Sequence, residues 1–240
     1  MIKNYIQIFL AAFSKVFGRG VTFRRRLFVS QRILEKNYPV GSAFCFLQVG
    51  ANDGKSFDFL YDFVIQREVS GVVIEPIKAY YNELCENYKN QDKIVKVNKA
   101  VHKTAKVVTV FKVEDSKLHG YPDWTKGIAS FNKEHLTKFV FLNETHIIEE
   151  QVAAASLMDI IGDSKIFSFN YLQIDTEGYD FEVLDMLDFK KHKPAIIKAE
   201  FVNLPEAQKQ SMRTKLLNNG YYVFNEGIDL VGVNLRKIKL

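Results

Sequence analysis

Apolar positions along the chain fall into short runs separated by turn-forming residues. The runs at 44–49, 71–75, 94–98, 106–113, 171–175, 195–200, 221–224 and 230–235 read as strands. Between most of them, 56–66, 78–88, 156–161, 181–187 and 206–219 carry helical spacing. Strands that are apolar nearly throughout and alternate with helices predict an α/β fold: a mostly parallel sheet covered on both faces, with ligands at the carboxyl ends of its strands. Two places break the alternation. Only "KAVHKTA" separates 94–98 from 106–113, too little for a helical crossover, so the second run is expected to pair antiparallel or lie at an edge. The last two strands are joined by "NEGID", a hairpin-length link. A long insertion is expected near 114–145.

Upstream of the sheet, Ile2, Ile6, Phe9, Leu10, Phe13, Val16 and Phe17 recur at helical spacing and predict an amphipathic helix. It is too short to span a bilayer and has no small-residue cleavage site behind it. Residues 1–40 hold eight Lys and Arg against Glu35 alone, a charge of +7 within a chain total of +5, which leaves −2 for the other 200 residues. The basic character therefore belongs to the head, and a nucleic-acid groove in the body is not expected. Residues 1–34 read as a basic helical segment and 35–240 as one domain, since 47% hydrophobic content is enough to bury a full core. With Arg24, Arg25 and Arg26 behind it, the helix (residues 1–26) suits an anionic membrane surface; packing on the domain or on a second copy is the other reading. Cys45 and Cys85 show no metal or redox spacing and read as free buried thiols in a reducing cytoplasm, with the inner membrane face left open.

The stretch "FLQVGANDGKS" reads as strand, tight turn and helix. Gly50 and Gly54 can take positive φ, so backbone amides and a new helix N-terminus can face a ligand there. Next, "GVVIEP" places Glu75, followed by Pro76, at the tip of the second strand, where an acidic residue in nucleoside-binding folds accepts both ribose hydroxyls. Together, the loop around Asn52 and the Glu75 carboxylate are expected to grip the two ends of one nucleoside. A dinucleotide-dependent oxidoreductase would share these two tips, but "GANDG" lacks the G-x-G-x-x-G spacing. A non-catalytic adapter with a vestigial pocket is a further alternative.

Taken in order, "FLQVGANDG", "GVVIEP", "VNKAVHK", "GIASF", "YLQIDTEGYDFEVLDM" and "PAIIKAEF" resemble the FkbM family of S-adenosylmethionine-dependent methyltransferases over residues 44–201. "IDTEGYD", 174–180, is the most specific piece. The resemblance implies a Rossmann-like class I methyltransferase fold, to which the C-terminal hairpin also belongs by analogy, and O-methylation of a sugar, glycan-precursor or secondary-metabolite hydroxyl. It implies S-adenosyl-L-methionine as cofactor, with Gly50, Ala51, Asn52 and Gly54 forming its loop and Asp53 near its methionine end. Glu75, backed by Pro76, would hold the ribose, Asn98, Ala100 and Val101 would lie along the adenine, and Asp175 would stand beside the sulfonium. Gln48 occupies the place where such motifs often begin with an acid, leaving Asp53 or Asp175 to meet the ammonium.

An alcohol attacks a methyl group well only if a base takes its proton during transfer. Candidate bases are His102, His119, Asp175, Glu177 and Glu200. Asp175 and Glu177 are two apart and would project to one side of an extended tip. With Glu200 they could also hold a divalent ion, although no metal is expected. In the insertion, Tyr121 and Trp124 suit stacking on a sugar face, Ser130 suits a hydrogen bond to substrate or cofactor, and His119 and Glu200 complete the expected acceptor side. A homo-oligomer is compatible with all of this.

Overall fold

The structure is a computed structural model and describes residues 1–16, 27–57 and 59–240. Arg24, Arg25 and Arg26, Phe17 and the remainder of 17–26 lie outside the described residues. In chain order the strands are β1 (Ala43–Val49), β2 (Glu68–Ile74), β3 (Ile94–Val97), β4 (Ala100–Val101), β5 (Val107–Val113), β6 (Ile147–Ala155), β7 (Tyr171–Ile174), β8 (Ile196–Glu200), β9 (Tyr222–Glu226) and β10 (Asp229–Val233). The helices are α1 (Ile2–Val16), α2 (Ser30–Asn37), α3 (Leu60–Val64), α4 (Lys78–Asn87), α5 (Lys133–Thr137), α6 (Leu157–Asp163), α7 (Asp180–Met186) and α8 (Glu206–Asn218).

The β1 run is apolar but for Gln48 because both faces of the strand are covered. Phe44 and Phe46 enter one core with Phe63, Tyr88 and Tyr171, while Leu47 and Val49 enter the other with Ile74, Leu172 and Ile197. Around it the sheet has seven strands in the order β3-β2-β1-β7-β8-β10-β9. The first five are parallel, and β10 runs antiparallel to both β8 and β9. This is the Rossmann-like class I methyltransferase arrangement, with the expected closing hairpin.

Two expectations need correction. The run at 106–113 does pair antiparallel, but with β6, which the sequence pattern did not announce: seven residue pairs join them from Val107↔Ala153 to Val113↔Ile147. With β4, parallel to β6 through Ala100↔Ala154, they form a separate three-stranded sheet. One face of it packs Val110, Val152, Ala154 and Ala100 on Ile77 and Tyr80; the central Glu149, Glu150 and Gln151 of β6 leave the strand without a clean apolar period. The second correction concerns the helix after the first glycine turn, expected over 56–66. Among the described residues of that range, only Leu60–Val64 is helical. Asp53 Oδ1 draws the amides of Lys55 and Ser56 into a turn at 2.9 and 2.7 Å, and Phe57 sits at φ +73°, a conformation no helix can include.

Residues of α1 pack on the chain's last turn. Asn4 Nδ2 donates to the carbonyls of Leu235 (3.3 Å) and Ile238 (2.9 Å), and Ala11 joins the core around Leu235, Ile238 and Leu240. Both cysteines are free and half-buried rather than buried. No described helix is long and apolar enough to cross a membrane.

Candidate active site

The tips of β1, β2 and β7 enclose a cavity of about 300 Å³, closed on one side by the insertion. The β1 tip comes so close to β7 that a Cβ on Gly50 would lie 1.7 Å from the Asp175 carbonyl oxygen, and Gly50 itself sits at φ +75°. Only glycine fits there. The amides of the loop are not presented to the cavity, contrary to the sequence expectation. Gly50 and Ala51 N–H both donate to Ile74 O at 3.0 Å, Asn52 N–H to Glu75 Oε2, Asp53 N–H to Asn52 Oδ1, Gly54 N–H to Ala51 O, and Lys55 and Ser56 to Asp53. The loop gives the cavity its shape, and it has no helix N-terminus at its end.

Glu75 is buried at 4% exposure and lines the cavity. Its Oε2 accepts the Asn52 amide at 2.9 Å and its Oε1 the Ile77 amide at 2.8 Å. Each oxygen keeps a lone pair for a further donor, so the carboxylate is held in place before any ligand arrives. Burial pushes its pKa up to about 7 against those two amides, with Glu150 adding to the rise and Lys112 opposing it. Asn52, at φ +49°, and Glu75 touch directly and line the same cavity. Asn98 works from behind, its Nδ2 donating to the carbonyls of Glu75 (2.9 Å) and Pro76 (2.8 Å). Pro76, Ala100 and Val101 line the cavity with Ile77 and Tyr80, as do Gln48 and Gln173, which stand opposite each other on β1 and β7.

At the β7 tip, Asp175, Glu177 and, from the end of β8, Glu200 bring one carboxylate oxygen each to within 4.8 Å of one another. The pleat does not do this, since β7 ends at Ile174 and Glu177 sits at φ +52° in a turn. Asp180, fully buried, clamps that turn by accepting the amides of Thr176 (3.0 Å) and Gly178 (3.1 Å), which accounts for the wording of "IDTEGYD". Asp175 is exposed to the cavity and closely surrounded by other carboxylates. Desolvation first, then the charges of Asp180, Glu177, Glu200 and Asp229, raise its pKa well above the ordinary carboxylate range. Burial and the same neighbours push Glu200 up to about 8, with Asn203 opposing. Asn203 Nδ2 donates to both Glu177 Oε2 (3.0 Å) and Glu200 Oε2 (2.9 Å), and His135 Nε2 lies 2.9 Å from Glu177 Oε2 as a close polar contact. Lys138 Nζ backs both partners, 3.1 Å from His135 Nδ1 and 2.6 Å from Asn203 Oδ1. The arrangement gathers three carboxylates at one edge of the cavity, which Asp175 and Glu177 both line.

Of the remaining sequence candidates, Trp124 and Ser130 reach the cavity from the insertion; the Ser130 hydroxyl donates to the Glu177 carbonyl at 2.7 Å. Asp53 and Gly54 do not line it. Burial pushes Asp53 up, but bonds from Ser56, Lys55 and Lys126 outweigh it and hold the group below the usual range. Its Oδ2 receives Lys126 Nζ at 3.1 Å, while Asn52 Nδ2 donates to the Lys126 carbonyl at 3.2 Å, so the glycine loop and the insertion are tied together. His102 is turned away: its Nδ1 accepts the amides of Thr104 and Ala105, and its ring stacks on Tyr179 at 5.3 Å. Tyr121 bonds His146 at 2.7 Å within the insertion, and His119 lies on its exposed 3-10 turn Asp115–Gly120; neither reaches the cavity. His135, Asn203, Lys126 and Tyr80 escaped the sequence reading, because their roles arise from contacts across more than 25 residues.

Among curated proteins none matches this chain. The likenesses to solved structures are distant. The FkbM methyltransferase of Methylobacillus flagellatus KT is 13% identical, with a TM-score of 0.49, over 80% of this chain and 44% of that one. A precorrin-6y C5,15-methyltransferase of Geobacter metallireducens GS-15 is 11% identical with a TM-score of 0.40, covering 84% and 82%. TrmK of M. capricolum, solved with S-adenosyl-homocysteine, is 8% identical with a TM-score of 0.41, covering 86% and 69%. The present chain thus spans less than half the length of the Methylobacillus protein. The profile of the methyltransferase FkbM domain matches residues 48–223, most of the chain and all of the cavity's strand tips, and the chain belongs to the FkbM methyltransferase family.

Proposed function

We propose that the protein is an S-adenosyl-L-methionine-dependent O-methyltransferase acting on a hydroxyl of a sugar, glycan precursor or secondary metabolite. The observation that carries this reading is the pair of carboxylates facing one cavity, Glu75 prepositioned by two amides and Asp175 with raised proton affinity. The residues fit the cofactor. Glu75 would accept the ribose hydroxyls, Ile77, Tyr80, Ala100 and Val101 would cover the base, and Gln48 with Gln173 would face the polar end. When bound, that cofactor supplies an electrophilic methyl group on a sulfonium. Asp175 would take the acceptor's proton as the new C–O bond forms, while the insertion positions the acceptor and Trp124 offers a flat apolar face to a sugar ring. Ionised Asp175 is a stronger base than an ordinary carboxylate because desolvation and its acidic neighbours favour its protonated form.

The test is calorimetric binding of S-adenosylhomocysteine to the wild type and to Glu75→Ala. Losing hydrogen bonds to a charged acceptor costs about 3 kcal/mol, so Kd is expected to rise about 150-fold. Thermal unfolding of the variant, which also loses an anchor for Asn52 and Ile77, separates a fold defect from a ribose defect. Unchanged affinity would remove the ribose role, and tighter binding of a nicotinamide cofactor by the wild type would remove the methyl-donor assignment.

A further inference from the structure

Helix α1 is built the wrong way round for a helix that merely packs on its own domain. The line that meets the protein is narrow and carries Asn4, Ile8 and Ala11, with Asn4 4% and Ala11 3% exposed. The opposite line carries the bulky apolar side chains Ile2 (76% exposed), Ile6 (52%), Phe9 (66%) and Phe13 (54%), flanked by Tyr5 and Leu10. These positions recur every three to four residues and so share one face; Phe9 and Phe13 stack at 6.1 Å. An ordinary amphipathic helix turns its broad apolar face to the core, and contiguous apolar surface of this kind marks an interaction site.

We propose that this outer face docks on an anionic lipid bilayer. Charge selects the partner. Residues 1–26 contain Lys3, Lys15, Arg19, Arg24, Arg25 and Arg26 and no Asp or Glu; the last four fall outside the described residues and enter here only as sequence. A second copy placed face to face across a two-fold axis would bring like charges together, whereas anionic headgroups neutralise them. At 15 residues the helix is about 22 Å long, too short to cross the hydrocarbon layer but suited to lying in its surface. It also sits away from the cavity. Asn4 grips residues that follow β10, whose last residue Val233 pairs with Ile196 at the amino end of β8, while the cavity is at the carboxyl ends of the parallel strands. Docking through α1 therefore engages none of the residues that line the cavity.

The experiment is sedimentation of the full chain with vesicles of phosphatidylcholine alone and of phosphatidylcholine mixed with phosphatidylglycerol, at low and raised salt, for the wild type and for Phe9→Ser combined with Phe13→Ser. The wild type is expected to bind the anionic vesicles at least about tenfold more tightly than the neutral ones and to be released by salt. The double variant is expected to lose at least about tenfold in affinity with its thermal unfolding unchanged, because both side chains are exposed. Equal partition to the two kinds of vesicle, or none to either, overturns the proposal whatever the variant does. So does a wild-type dimer in light scattering that the double variant abolishes without any loss of vesicle binding, which would assign the face to a second copy.

Discussion

Glu200 lets the crowding of carboxylates at the β7 and β8 tips be measured as stability. The group ionises near 4.5 in an unfolded chain and at about 8 in the folded one, because burial and Glu177, Asp180 and Asp229 disfavour its charge. Between those two pH values the folded state holds a proton that the unfolded state releases. The stabilising contribution is therefore complete below about 4.5 and lost as pH rises through about 8, the reverse of an ordinary ion-paired carboxylate. Carried to pH 8, the gap sets a ceiling of about 4 kcal/mol on the cost of ionising the group. Relaxation and water entry around the ionised group make the recoverable part smaller, on the order of 2 kcal/mol. Glu200→Gln removes the charge and keeps a carbonyl to accept Asn203 Nδ2, now at 2.9 Å. Urea unfolding is then expected to find the variant about 2 kcal/mol more stable than the wild type at pH 8 and equal to it near pH 4.5. A variant that is no more stable at pH 8, or whose gain is the same at both pH values, would refute the crowding argument.

Two further substitutions probe the same walls. Asp175→Asn is expected to lower kcat by about 100-fold or more while leaving S-adenosylhomocysteine affinity unchanged, and to abolish the limb on which wild-type activity rises with pH as the base ionises; a retained limb in steady-state assays would move the base elsewhere. Gly50→Ala drives a methyl group to 1.7 Å from the Asp175 carbonyl oxygen at a φ that favours glycine, so calorimetry is expected to show Tm lowered by at least about 8 °C or no folded protein at all. An unaltered Tm would mean that the β1 and β7 tips can part freely.

The large sheet was legible because both of its faces are buried, so β1, β2, β7 and β8 announce themselves as apolar runs. That Glu75 and Asp175 meet at one cavity was legible because the carboxyl ends of the strands in this fold class converge on one crevice. β6 was not, since its exposed side places Glu149 and Gln151 among its apolar residues. Asp53 looked like a ligand group by position, yet local geometry gives its oxygens to Lys55, Ser56 and Lys126. His135 was invisible for another reason. It meets Glu177 only through the folding of the insertion over the cavity, and no spacing along the chain encodes a contact 42 residues away. The outward turn of α1 was equally hidden, because periodicity shows that a face exists and not which way it looks.

Lys126 has a thermodynamic corollary for the order of events. Its ammonium holds Asp53 beneath the glycine turn and its carbonyl holds Asn52, so the segment that would meet the donor and the segment that would meet the recipient share one latch. Whatever free energy the first arrival gains by setting that latch is returned, by reciprocity, as tighter capture of the second. Removing the Lys126 ammonium would cut the tie to Asp53 and weaken the coupling between the two binding events, while the tie from Asn52 to the backbone carbonyl would remain.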